Sequence, residues 1–129
     1  METGIIIDAC IFIEYFRAKN KDSSALENLL KKYKKCFVSA VAKYEVLCGA
    51  ADEDVAFWET IFSNMEILPF DDLTINKARQ IYIYRQLNRK KRLIDAIDIL
   101  IAATAIVYDL PLSTLNRKHF ERIDELQLL

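Results

Sequence analysis

A chain of 129 residues, 53% hydrophobic and 29% charged, is long enough for one domain with its own core and too apolar to be disordered. Its formal net charge of −1 gives no global electrostatic pull toward nucleic acid. Cys10, Cys36 and Cys48 are odd in number and far apart, which excludes a disulfide framework and a close-spaced zinc site and reads as reduced, packed thiols.

"GIIIDACIF" opens the pattern. Ile5, Ile6 and Ile7 predict a strand covered on both faces, and residues 10–17 a short helix. A polar turn follows at 18–24, where Ser23 or Ser24 can cap a second helix running to about Tyr33. "CFVS" at 36–39 is a second strand, and Ser39 is placed to cap a helix over 40–50. Phe57, Trp58, Ile61 and Phe62 recur at helical spacing. "EILPF" at 66–70 predicts a third strand. Residues 72–88 predict a long amphipathic helix and 96–108 a strongly apolar one. "LPLST" at 110–114 is a fourth strand and the terminal "LQLL" a candidate fifth. Strands alternating with helices predict an α/β sandwich on a parallel sheet, with ligands beyond the carboxyl ends of the strands. No apolar run approaches the ~20 residues that cross a bilayer. The N-terminus also has no basic region leading into an apolar one, so the expected location is cytoplasmic, with no membrane partner.

Three acids fall where apolar residues are expected. Asp8 directly follows the first strand, where a dry carboxylate costs several kcal/mol unless compensated. Glu45 shares a helical stripe with Val41, Tyr44 and Cys48, a stripe expected to face the core. Asp98 heads the stripe Ile101, Ala102, Ala105; its bland reading is a first-turn acid behind an Asp95 cap. Converging carboxylates repel one another, and a divalent ion with hard oxygen ligands, Mg²⁺ or Mn²⁺, removes that problem. Such a site suits phosphodiester hydrolysis. No Gly-rich phosphate loop is present. His119 is the sole histidine and reads as an ordinary surface or partly packed residue.

Four stretches together carry a family likeness: "IIIDACIFIEYF", "VSAVAKYEVLCGA", "DILIAATA" and "LSTLNRKHF". On these, spread in order over the whole chain, the sequence resembles the PIN domain, specifically the compact VapC-type toxins. The resemblance implies a single PIN domain over 1–129, a three-layer α/β/α sandwich on a central, mainly parallel sheet of four to five strands. It implies a metal-dependent endoribonuclease acting on transfer RNA or other structured RNA, with Mg²⁺ or Mn²⁺ as cofactor. Asp8, Glu45, Asp98 and Asn116 fall on the family's catalytic positions, and Asp8, Glu45 and Asp98 on its metal ligands. It further implies a homodimer neutralised by a cognate VapB-like antitoxin whose tail covers the site. The chain departs from the family at Ala9, where Thr or Ser is usual, with Cys10 a soft thiol beside it. Asn116 stands where Asp is the alternative.

Basic residues cluster despite the neutral total. Arg89, Lys90, Lys91 and Arg92, with Arg117 and Lys118, are placed to grip RNA phosphates on either side of the metal. Lys31, Lys32, Lys34 and Lys35 form another group. Tyr82, Tyr84, Phe57, Trp58 and Phe62 are candidates for base stacking or an antitoxin groove, with core packing the commoner use of such rings. Two other readings stand beside the ribonuclease toxin. One is a non-catalytic PIN-fold module that binds nucleic acid or an antitoxin, and the other a PIN nuclease outside any toxin system.

Overall fold

The computed structural model describes residues 2–88 and 96–129. The predicted basic run Arg89–Arg92 and the predicted cap Asp95 lie outside the described residues. Strand β1 (Glu2–Ile7) leads into helix α1 (Ala9–Arg17), a short 3₁₀ turn and α2 (Ala25–Lys32). Strand β2 (Tyr33–Ser39) leads into α3 (Ala40–Cys48) and α4 (Val55–Ser63), and β3 (Glu66–Leu68) into α5 (Asp72–Asn88). Helix α6 (Ala96–Val107), β4 (Leu112–Ser113) and the single turn α7 (Arg117–Phe120) complete the chain. Among the described residues no helix is long and apolar enough to cross a membrane.

All strand pairs are parallel, in the order β3-β2-β1-β4. The predicted α/β class and the central parallel sheet flanked by helices are therefore observed. From β1 the chain builds outward through β2 to β3, then returns to place β4 on the other side of β1. The order thus reverses between β1 and β4, and the crevice beyond their carboxyl ends is where such sheets place ligands.

Local chemistry explains most boundaries. The Ser24 hydroxyl accepts from the Glu27 N–H at 3.2 Å to cap α2, and Ser39 accepts from the Ala42 N–H at 2.9 Å to cap α3. The Lys21 ammonium closes the C-terminal end of α1 by donating to the carbonyls of Tyr15, Phe16 and Ala18. Helix α6 ends on Asp109, at φ 55°, with the Leu110 N–H donating back to the Ala105 carbonyl at 3.0 Å. Leu110 is thereby spent on the cap, so β4 starts later than the predicted 110–114. The predicted fifth strand reduces to one parallel bridge between Leu112 and Leu128.

The core holds Ile5, Ile6, Ile7, Phe12, Ile101, Leu112 and Phe120, each completely buried. Trp58 and Phe62 pack on Phe12 between α1 and α4, so these two rings serve the core rather than a stacking platform, whereas Tyr82 and Tyr84 are exposed. One expected face is corrected. Val41, Tyr44, Glu45 and Cys48 do not form the buried side of α3: Tyr44 is 63% exposed, Glu45 and Cys48 are exposed, and the helix buries Ala42 and Val46. The segment "AVAKYEVLC" is apolar around most of its circumference, so periodicity alone selects no single face. Cys48 is accordingly not a packing thiol.

Candidate active site

Asp8 stands directly after β1 and directly before α1. Its backbone N–H still donates to the Ser113 carbonyl of β4 at 3.0 Å, so the sheet holds the residue in place. Its carboxylate is buried, at 4% exposure, and serves as the N-cap of α1, with Oδ1 accepting from the Ala9 N–H at 2.8 Å. Oδ2 accepts from the Thr114 hydroxyl at 2.7 Å and from the Cys10 thiol at 3.4 Å. Among the described residues every donor to Asp8 is thus neutral. A carboxylate offers about four acceptor positions, so Asp8 retains capacity for a cation.

Thr114 is the residue that sequence reasoning leaves without a role, although it stands in the "LSTLN" motif. Besides holding Asp8, its oxygen accepts from the Asn116 N–H at 2.9 Å and lies 3.5 Å from the Cys10 sulfur. Thr114, directly after β4, thus supplies a hydroxyl to the Asp8 carboxylate. Burial, with the Asp8 charge adding to it, pushes the Cys10 thiol up in pKa, although Thr114 and Leu115 oppose this. The neutral thiol is a donor here and a poor nucleophile. The Leu115 N–H donates to its sulfur at 3.3 Å.

Asp98 lies in the first turn of α6, with its side chain 14% exposed. Its Oδ2 is 2.9 Å from Nδ1 of His119, so His119 is a partner of a predicted site residue and not simply a surface histidine. Asn116 is exposed at the N-terminal edge of α7 and its side chain makes no capping bond. Glu45 comes from a different direction, on α3, the helix that packs against both α1 and α6. The segment 114–119 thus touches Asp8 with one residue and Asp98 with another. The predicted convergence of three acids is not a closed cage: among the described residues no group of three or more His, Cys, Asp or Glu side chains is close enough to hold an ion. Arg117 donates to the Leu129 carbonyl, while Lys118 is exposed. Lys31, Lys32, Lys34 and Lys35 are exposed around the start of β2, at the opposite end of the sheet from Asp8.

Removing the Thr114 hydroxyl tests the clasp. Thr114→Val keeps the shape but takes a donor from buried Asp8 and an acceptor from the Asn116 N–H. A loss of about 1–3 kcal/mol in unfolding free energy is expected. Thr114→Ser keeps the hydroxyl and loses one methyl, at about 0.8 kcal/mol. Denaturant melts of the two variants check this, and a valine variant no less stable than the serine one would refute the clasp.

The PIN-domain family profile matches residues 5–126. The chain is 32% identical over 128 residues to Ribonuclease VapC1 of Methanocaldococcus jannaschii, covering 98% of this chain and 86% of that protein. It is 33% identical over 138 residues to Ribonuclease VapC of Rickettsia bellii, covering 98% and 95%. In fold it is similar to the DNA-bound VapBC structure from Salmonella typhimurium, with TM-score 0.84 and 21% identity over 100% of this chain and 98% of that one. VapBC2 of Rickettsia felis, bound to a promoter DNA fragment, gives TM-score 0.78 at 22% identity over 98% and 97%. With near-complete coverage at both levels, the chain belongs to the PIN-domain family and, within it, to the VapC proteins.

Proposed function

We propose that this chain is a metal-dependent endoribonuclease and the toxin of a VapBC-type toxin–antitoxin pair. The observation that carries the chemistry is Asp8: a carboxylate 4% exposed, at the point where strand order reverses, bonded only by neutral donors among the described residues. Stability alone gives little reason to bury a charge without a counter-charge, whereas a divalent cation would complement it. Names of relatives at over 30% identity supply the reaction class, ribonuclease.

The donor chemistry fits Mg²⁺ or Mn²⁺, which take hard oxygen ligands, and Mg²⁺ in particular is commonly held by one or two carboxylates with several retained waters. Asp8, Asp98 and Glu45 are the residues that would hold the ion, with Asn116 beside them. When bound, the ion supplies an acidified water and neutralises charge on the phosphate. Asp8 is oriented for this by the α1 cap and by Thr114, so its carboxylate does not have to reorganise on binding. Lys118 and the 89–92 run hold RNA phosphates, and Arg117 adds the N–H groups that its bond to Leu129 leaves over. The neighbouring VapBC structures support a VapB-like antitoxin as partner, and the homodimer rests on the family resemblance alone. The non-catalytic reading rests on Ala9 and Asn116, and turnover separates it from the nuclease.

The test is cleavage of labelled total transfer RNA by sub-stoichiometric protein with Mg²⁺, Mn²⁺ or EDTA, over a range of monovalent salt. Fragments that require the metal, and that diminish as salt rises, are expected. Stoichiometric protection without cleavage would make the chain a binding module, and cleavage unaffected by EDTA would remove the metal from the mechanism.

A further inference from the structure

His119 takes no part in the chemistry above, yet it is bonded to one of the acids. Its Nδ1 lies 2.9 Å from Asp98 Oδ2, and because the carboxylate accepts, Nδ1 carries the hydrogen. The imidazole is 48% exposed while the Asp98 side chain is 14% exposed, and a pair whose histidine side is this open to solvent adds only modestly to stability. Folding therefore does not account for the contact.

Its place in the chain does. The His119 N–H donates to the Asn116 carbonyl at 2.9 Å, closing the turn that starts where the Asn116 N–H meets Thr114. Thr114 grips Asp8 from that turn, and His119 reaches across to Asp98 from the same turn. One short segment thus contacts two carboxylates from different parts of the fold, Asp8 at the N-cap of α1 and Asp98 in the first turn of α6. Losing the His119 bond removes from Asp98 a restraint that the Thr114 bond, on the other carboxylate, does not supply.

We propose that His119 is a positioning residue for the metal site: it acts through Asp98, whose carboxylate it orients, and does not itself touch the ion. This rests on the reading of Asp98 as a metal ligand. Second-shell partners of ligating carboxylates typically change metal affinity or activity by about 10–100-fold.

The geometry gives a specific test, because an asparagine amide nitrogen occupies roughly the place of Nδ1 and a glutamine amide roughly that of Nε2. Mn²⁺ binding by the full chain is measured calorimetrically for wild type, His119→Ala, His119→Asn, His119→Gln and Asp98→Asn, with thermal melts of each. His119→Ala is expected to bind Mn²⁺ about tenfold more weakly with little change in melting temperature. His119→Asn is expected to recover most of that loss and His119→Gln little of it. If Asp98→Asn binds Mn²⁺ as wild type does, the ligand reading fails and the proposal falls with it. If Asp98→Asn loses binding while His119→Ala keeps it, only the positioning role is overturned. A loss in His119→Ala that asparagine does not restore overturns it as well.

Discussion

Asp8→Asn is expected to abolish RNA cleavage while leaving the protein folded. Asparagine is as good an N-cap as aspartate, so the Oδ1 bond to the Ala9 N–H survives and α1 still starts at the same residue. The amide nitrogen replaces the oxygen that accepts from Thr114, and the hydroxyl must then turn to accept instead. That exchange costs on the order of 1 kcal/mol, and the uncharged side chain recovers part of it by removing a buried charge. What it cannot restore is a hard anionic ligand. Losing one should reduce turnover by at least the ~100-fold upper range typical of second-shell changes. Fragment yield under single-turnover conditions, beside a thermal melt of the same preparation, checks both halves. Cleavage within tenfold of wild type would take Asp8 out of the metal site. A collapsed melt would mean its charge is needed for the fold.

The second large effect is on stability. Phe12 is completely buried one turn into α1, with its ring 5.2 Å from that of Phe62 and edge-on to Trp58 at 6.4 Å. Phe12→Ala removes the wedge between α1 and α4 and leaves a cavity, at an expected cost of about 3–5 kcal/mol. For a domain whose total is roughly 5–15 kcal/mol, that is enough to leave a sizeable unfolded fraction at physiological temperature. Phe12→Leu largely refills the space and is expected to cost less than about 1.5 kcal/mol. Urea titration distinguishes them by midpoint at a common slope. Activity of Phe12→Ala should return as temperature falls and the folded fraction recovers, whereas that of Asp8→Asn should not. An alanine variant with the leucine variant's midpoint would show that α1 is not held by this ring.

These two residues are four apart in "IIIDACIFIEYF", one an acid at the end of an apolar run and the other within the apolar run that resumes after it. Their legibility has a physical basis. Strand and helix patterns, caps at Ser24 and Ser39, and a misplaced carboxylate are short-range features, set by dihedral preference, side-chain reach along the chain and burial. The predicted span of α5 matches the structure, and Asp98 lies in the first turn of α6 as its position predicts.

The differences between pattern and structure fall where the information is not local. Helix α3 is apolar on most sides, so its buried face was decided by what packs on it, which leaves Glu45 exposed. Strand β4 is only two residues long and depends on β1 beside it for its pairing. Thr114 lies 106 residues from Asp8 and His119 lies 21 from Asp98, separations across which no helical or strand period relates two side chains. The sequence by itself determined the elements, the α/β class and the acids from which a site can be made. The tertiary structure decided strand order, hence which strand ends share the crevice, and which neutral side chains hold the acids there, because those contacts exist only once β1, β4 and α6 have been packed together.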